Sequence, residues 1–353
     1  MQEVVTEVSL DPKNNTYLVG HEDVEKIFLD AWKNNSLHQA WLISGPKGIG
    51  KATFAYRLAR FLLSADKERA DSYTSLEVSS DSQVYKQIST GSNPDFKLLE
   101  RGYLKTERQK IIKAIKDGNY MSDEELGELK RSSVITVDDV RTVNEFLSKK
   151  SADGRWRVVL VDSVDEMNTN SANAILKILE EPPHKTIMLL VSHNPSRLLP
   201  TILSRCAKLT LKPLKDNIVA SLLRRYRPDT REEEIKKTVA IAGGSIGKAI
   251  SYVDGGAIRF YEKIYSLAIS GKNFKTGDLL KFSDEATDSE ENYELFKELI
   301  LKFLNEQARS MNKIEETALL FDKVTKIFVE TEGLNMDKKQ AIICIMVSIC
   351  RTY

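Results

Sequence analysis

Cysteine is nearly missing from this chain. Only Cys206, Cys344 and Cys350 occur in 353 residues, at spacings that make no zinc pattern, and the four histidines are scattered. A disulfide framework and a structural zinc centre are therefore not expected; reduced thiols are. Nowhere do eighteen apolar residues run together, and Met1 to Asn15 is acidic and polar without an apolar centre. The expectation is a soluble, cytoplasmic protein with no membrane partner. Excess charge of one sign is also lacking, since 52 Lys plus Arg against 51 Asp plus Glu leaves a formal charge of +1. Broad electrostatic attraction to nucleic acid is not written into such a chain, so any DNA contact must be local or shared with other subunits. The length suits two or three domains whose cores need no covalent staples.

What the chain does hold is concentrated in two places. From Arg155 to Asp162 an apolar run ends in a carboxylate, which is how a buried parallel strand delivers an acid to the C-terminal edge of a sheet, where nucleotides sit in doubly wound folds. Asn170 to Pro182 follows, with Ala172, Ile175, Leu176 and Leu179 on one helical face and a proline pair as its stop. A second apolar strand spans Thr186 to Ser192, and a short helix beginning near Pro195 or Ser196 closes on Ser204-Arg205-Cys206.

The other place is Gly45-Pro-Lys-Gly-Ile-Gly-Lys51-Ala52-Thr53, a phosphate-loop pattern between an apolar strand and an apolar helix. Gly45, Gly48 and Gly50 let successive backbone N–H groups cradle phosphate oxygens at a helix N-terminus, and Lys51 neutralises charge. Ala52, however, stands where the hydroxyl ligand of Mg²⁺ belongs, and Thr53 points about 100° further round the helix. Hydrolysis also needs an acid beside the Mg²⁺-organising Asp162 to orient the attacking water, and position 163 is serine. Asp165 and Glu166 come three or four residues past the strand end and read as exposed turn carboxylates. These two losses argue against hydrolysis at this site; ATP or ADP is expected to bind weakly or not at all.

Buried strands are expected at 41–44, 95–99, 157–162, 186–191 and 207–211, alternating with helices, so the fold class is α/β with a parallel sheet. Ser64 to Asn93 is polar and reads as a surface excursion. Residues from about 101 to 133 read as a charged, solvated helical hairpin inserted in the sheet domain, with helices at Glu107 to Asp117 and Asp123 to Lys130. Thr136 and Asp139 form a capping box for a helix reaching Lys149, and Ser151 to Gly154 is a loop. After residue 212 the strands stop. A small helical domain is expected over 213–256 and an all-helical one over 257–353, with a polar break near Phe282 to Asn292 and a helix over Tyr293 to Asn312 carrying Phe296, Leu299, Ile300, Phe303 and Leu304.

The Gly45 loop, the Asp162-Ser163 strand end, Asn173 to Pro183 and Leu203-Ser-Arg-Cys206 together resemble the delta-prime family of bacterial DNA polymerase III clamp-loader subunits, continuously from about Leu18 to Leu214. The resemblance implies an AAA+ domain over 1–212, a helical lid over 213–256 and a helical collar over 257–353 that joins a ring. Its implied partners are the tau/gamma and delta subunits, the sliding clamp (beta) and primed DNA reached through the ring. It further implies a stator that hydrolyses no ATP, requires no cofactor, and reaches a neighbouring tau/gamma site with Arg205, framed by Ser204 and Cys206. Two departures stand out: the four-cysteine zinc module of many members has no counterpart in Ser64 to Asn93, and the lid arginine of tau/gamma relatives is replaced by glycine in Gly244-Ser245-Ile246-Gly247. A working ATPase of tau/gamma type, the competing reading, would want threonine at 52, glutamate at 163 and that lid arginine.

Overall fold

The structure is a computed structural model that describes residues 9–119, 121–149, 151, 156–310 and 314–352. The expected loop at 152–154, the apolar run's first residue Arg155, the head of the N-terminal segment and residues 311–312 of the long helix lie outside the described residues.

Along the chain the first unit contains α1 (Glu22–Lys33), β1 (Ala40–Ser44), α2 (Lys51–Ser64), α3 (Gln83–Ser89), β2 (Phe96–Leu99), α4 (Lys105–Lys116), α5 (Asp123–Glu128), α6 (Val137–Ser148), β3 (Arg157–Asp162), α7 (Thr169–Glu180), β4 (Thr186–Ser192), α8 (Pro200–Leu203) and β5 (Ala207–Thr210). The five strands form one parallel sheet in the order β2-β3-β4-β1-β5. Because side chains alternate along a strand, neighbouring residues serve opposite layers. Trp41, Ile43, Val158, Leu160, Leu189 and Val191 pack with Phe28, Phe54 and Leu58 of α1 and α2. Ala40, Leu42, Val159, Val161, Met188 and Leu190 pack with Val140 and Val143 of α6 and Ile175 and Leu179 of α7. Both faces are covered, which is why these strands read as unbroken apolar runs.

Local sequence sets the joins. Thr136 and Asp139 form the expected capping box, the Thr136 N–H donating to Asp139 Oδ2 at 2.9 Å. At the other end of α6 the buried Arg157 donates to Leu147 O at 2.9 Å and to Lys149 O, so a guanidinium satisfies carbonyls that a helix C-terminus leaves open.

Several expectations need correction. The stretch from Ser64 to Asn93 is not wholly a surface excursion: Leu76 and Ile88 are buried in the core, and Ser82 caps α3 by accepting from the Tyr85 N–H at 3.1 Å. Its apolar residues are too sparse to show a period. The helix expected from Pro195 is two pieces, a 3₁₀ turn at Pro195–Arg197 and the short α8, because Pro200 restarts the chain. On α7, Ile178 is buried and Leu176 only half-buried.

The chain divides into two compact units, Met1–Ile218 with Gly244–Gly247, and Val219–Gly243 with Lys248–Tyr353. The second holds only helices and their joining turns among its described residues: most of α9 (Asp216–Tyr226), α10 (Glu232–Ala242), most of α11 (Ile246–Asp254), α12 (Ala257–Ile269), α13 (Thr276–Thr287), α14 (Glu290–Ser310), α15 (Ile314–Gly333) and α16 (Lys338–Thr352). A line of rings joins its helices, with Phe260 to Phe282 at 5.3 Å, Phe282 to Phe296 at 5.9 Å and Phe296 to Phe328 at 6.2 Å. Phe282, taken from the sequence as the start of a polar break, is buried in α13 beside Leu279 and Ala286. The break shrinks to residues 288–289, since the polar residues around Phe282 line the outer face of an amphipathic helix.

Leu160 is fully buried on the central strand β3. Leu160→Ala should lower the unfolding free energy by about 2–5 kcal/mol, read from the urea midpoint; a loss well under that range would mean the layer under α2 is looser than described.

Candidate functional site: a phosphate loop and an acid at one sheet edge

The loop between β1 and α2 rests on glycine. Gly45, Gly48 and Gly50 all have positive φ, and a Cβ at Gly45 would meet Leu211 O at 2.4 Å. Lys51, only 3% exposed, donates from Nζ to Gly45 O at 2.7 Å and Pro46 O at 2.5 Å. Burial pulls its pKa down to about 8, against the opposing pull of the Asp162 and Asp165 charges. On the far side of the loop His21, buried and held below the ordinary histidine pKa by desolvation, bonds through Nε2 to Ile49 O at 2.8 Å. A carbonyl only accepts, so this nitrogen carries the proton. Thr53 is buried in α2.

The Gly244–Gly247 segment lies directly on the same loop. The Gly247 N–H donates to Gly48 O at 2.8 Å, and the buried Ser245 hydroxyl donates to Lys47 O at 2.9 Å. A Cβ at Gly247 would stand 2.8 Å from Gly48 Cα. Glycine at 247 is thus required by backbone contact, and a side chain there would part the two segments.

Asp162 ends β3, where burial pushes its pKa up to about 6, with Glu166 and Glu100 adding to the rise and Lys51 opposing it. Ser163 is buried and its hydroxyl lies 3.3 Å from Asp165 Oδ2. Asp165 is more than a turn carboxylate: it accepts from Ser192 Oγ at 2.9 Å, from the Asn194 N–H at 3.2 Å and from the His193 N–H, tying the exit of β3 to that of β4. Glu166 pairs with Arg101 at 3.0 Å. Both acids after Ser163 therefore have partners within the chain.

The inserted hairpin contributes to this site, which its solvated reading did not foresee. Arg131 pairs with Glu100 at 2.6 Å and donates to Arg101 O at 2.9 Å, closing the stem. Arg101 and Arg131 then line a polar cavity of about 440 Å³ with Lys47, Glu100, Asp162, Ser163, Glu166 and His193. Nothing local marks Arg131 for this place, because its partner is 31 positions earlier in the chain. The hairpin's helix α4 buries no residue, as a solvated helix should.

Arg205 stands apart from the loop residues. Its guanidinium donates from Nη2 to Glu180 Oε1 at 2.7 Å and from Nη1 to Thr201 O at 3.0 Å, joining α7 to α8. Cys206 is buried, and burial pushes its thiol up to about 11, so it frames the arginine as packing and is not a nucleophile. The structure brings Gly45, Gly48, Gly50, Lys51 and Asp162 to one sheet edge, with Thr53 inside the helix behind them. Among the described residues no group of three or more His, Cys, Asp or Glu could hold a metal ion.

A parallel sheet with a phosphate loop after its first strand and an acid at the end of β3 defines an AAA+ P-loop domain. The family model described as DNA polymerase III, delta subunit matches residues 20–215, more than half of the chain, and the chain belongs to that family. It is a clamp-loader protein of the delta-prime or tau/gamma type. The chain is 35% identical over 208 residues to the delta' subunit of DNA polymerase III from Pseudomonas aeruginosa, covering 58% of this chain and 53% of that one. It is 29% identical over 247 residues to the tau/gamma subunit from Haemophilus influenzae (69% and 31%), and 27% identical over 202 residues to the delta' subunit from Bacillus subtilis (57% and 50%). The match thus spans about half the length of the delta' relatives and less of tau/gamma. Among solved structures, a gamma subunit-related protein from Thermotoga maritima aligns over 92% of this chain and 98% of its own, at 16% identity and a TM-score of 0.39. No helix among the described residues is long and apolar enough to cross a membrane.

The raised pKa of Asp162 has a testable sign. Its folded value of about 6 lies above the ordinary 3.8, so the folded state holds the proton more tightly and stability falls as pH rises through that window. Asp162→Asn, which cannot ionise, should raise the urea midpoint at pH values above the window, and the gain should vanish below it. An unchanged midpoint at high pH would contradict the desolvated site.

Proposed function

We propose that this chain is the delta-prime, stator-type subunit of the DNA polymerase III clamp loader, acting in DNA replication in the cytoplasm. On this reading it hydrolyses no ATP and supplies Arg205 in trans to the ATP site of an adjacent tau/gamma subunit. The observation that carries the reading is the state of its own site. Ala52 offers no hydroxyl, Ser163 stands where a water-orienting acid belongs, and glycine occupies 247 where a lid arginine would stand. A tau/gamma-type ATPase would want threonine, glutamate and arginine at these places. Arg205, by contrast, is about one-third exposed at the end of a short helix, as an arginine aimed at another molecule must be.

The partners on this reading are tau/gamma and delta, the sliding clamp, and primed DNA through the assembled ring. No cofactor is required, and neither zinc nor a membrane takes part; any ATP or ADP in the degenerate loop is bound weakly and left intact. Residues 213–256 serve as the lid and 257–353 as the collar. The collar assignment is supported by Leu319, 72% exposed, and Val329, 65% exposed, on α15, apolar surface that a neighbouring subunit would cover.

The isolated chain should show no ATPase above background; turnover of about 1 s⁻¹ or more that disappears in Lys51→Ala would overturn the stator reading. In the reconstituted ring Arg205→Ala should leave assembly and thermal midpoint intact and lower DNA-dependent ATPase. The fall should be smaller than the roughly 10³-fold seen when a sole arginine finger is removed, since other sites keep theirs. Arg205→Lys should rescue poorly, because an ammonium lacks the planar fork that grips two oxygens. Normal ATPase in an intact Arg205→Ala ring would remove the finger.

A further inference from the structure

We propose that Glu180 is a detachable tether for Arg205, holding its guanidinium in cis and releasing it when a neighbouring subunit offers a phosphate. The inference rests on the trans-arginine reading above and concerns how that arginine is kept ready. Two donors of Arg205 are occupied within the chain, Nη2 by Glu180 Oε1 at 2.7 Å and Nη1 by Thr201 O at 3.0 Å. The two contacts differ in kind. Thr201 O is backbone at the second position of α8, three residues before Ser204, whose hydroxyl also donates to it at 3.1 Å. It fixes the direction of the arm whatever the guanidinium's other end meets. Glu180 is a side chain at the last position of α7, 49% exposed, and Arg205 is its one hydrogen-bond or ion-pair partner among the described residues. The contact is therefore single, solvent-facing and easily undone.

An ion pair this exposed changes an equilibrium by about fivefold at most, and salt screens it. A phosphate in a water-excluded site, accepting two parallel charge-assisted bonds from the fork, displaces it readily. The carboxylate thus keeps a long, rotamer-rich side chain ordered and its charge neutralised before assembly, yet presents little barrier to transfer. It also competes with the phosphate. Removing it should shift Arg205 toward the neighbour even before clamp and DNA drive the ring into its working arrangement.

The test uses the full chain with Glu180→Gln, which keeps size and polarity and removes charge, reconstituted with tau/gamma and delta. MgATP hydrolysis is measured without clamp or DNA, at about 50 mM and about 300 mM salt. ATPase should rise over the wild-type ring, by no more than about fivefold at low salt, and the difference should shrink at high salt, where the pair is already weakened. The double variant Glu180→Gln/Arg205→Ala should match Arg205→Ala alone, which a purely structural role of Glu180 would not produce. Unchanged or lower ATPase in the Glu180→Gln ring, or a rise that persists without Arg205, overturns the tether. If Arg205→Ala lowers ATPase while Glu180→Gln has no effect, the tether alone fails; if Arg205→Ala hydrolyses normally, the finger fails and the tether with it.

Discussion

A lysine ammonium buried to 3% exposure cannot be left without partners, and the arrangement of the whole sheet edge follows from meeting that demand. Lys51 reaches back to the carbonyls of Gly45 and Pro46, which requires the loop to curl tightly enough to need glycine at 45, 48 and 50. The curled loop turns its outer carbonyls toward other segments: Ile49 O meets His21, Lys47 O meets Ser245, and Gly48 O meets the Gly247 amide. The carbonyls on the outside of the loop are thus met by donors of its own chain.

The opposing charges fit the same account. Asp162 and Asp165 offset part of the cost of burying the ammonium, and Asp162 remains desolvated enough that its pKa stands near 6. Asp165 is held by amides and a hydroxyl at the exit of β4. The hairpin arginines reach the cavity with carboxylate partners of their own, Glu166 and Glu100. Both hairpin arginines in this cavity are thus paired within the chain. Chemistry, on the function proposed, is handed to Arg205, which follows α8 and makes its contacts to Glu180 of α7 and Thr201 of α8.

Much of this was legible from residue order because the physical causes are local. The strands fell within about a residue or two of their observed ends, since a strand buried on both faces must be an apolar run, and 157–162 and 186–192 are such runs. The Thr136–Asp139 box was readable because a cap and its partner lie three positions apart. The loop glycines and Lys51, the missing hydroxyl at Ala52 and the serine at 163 needed no coordinates, because each is a matter of which functional group stands at a fixed step from a strand or helix end.

What only the tertiary structure decided is everything that depends on residues far apart in sequence. That Leu76 and Ile88 are core, that Phe282 is buried, and that Asp165 is a tie between two strands follow from contacts no period reveals. That Arg131 closes on Glu100, and Gly247 on Gly48, depends on chain reversals across 31 and 199 positions. Likewise Arg205 could be recognised as an arginine at a helix end, but its carboxylate partner, 25 residues earlier, became visible only when α7 and α8 were laid side by side. Residue order determines which groups are available and which short elements form; the pairing of charges and the filling of cavities are set by packing, because both act through distance in space.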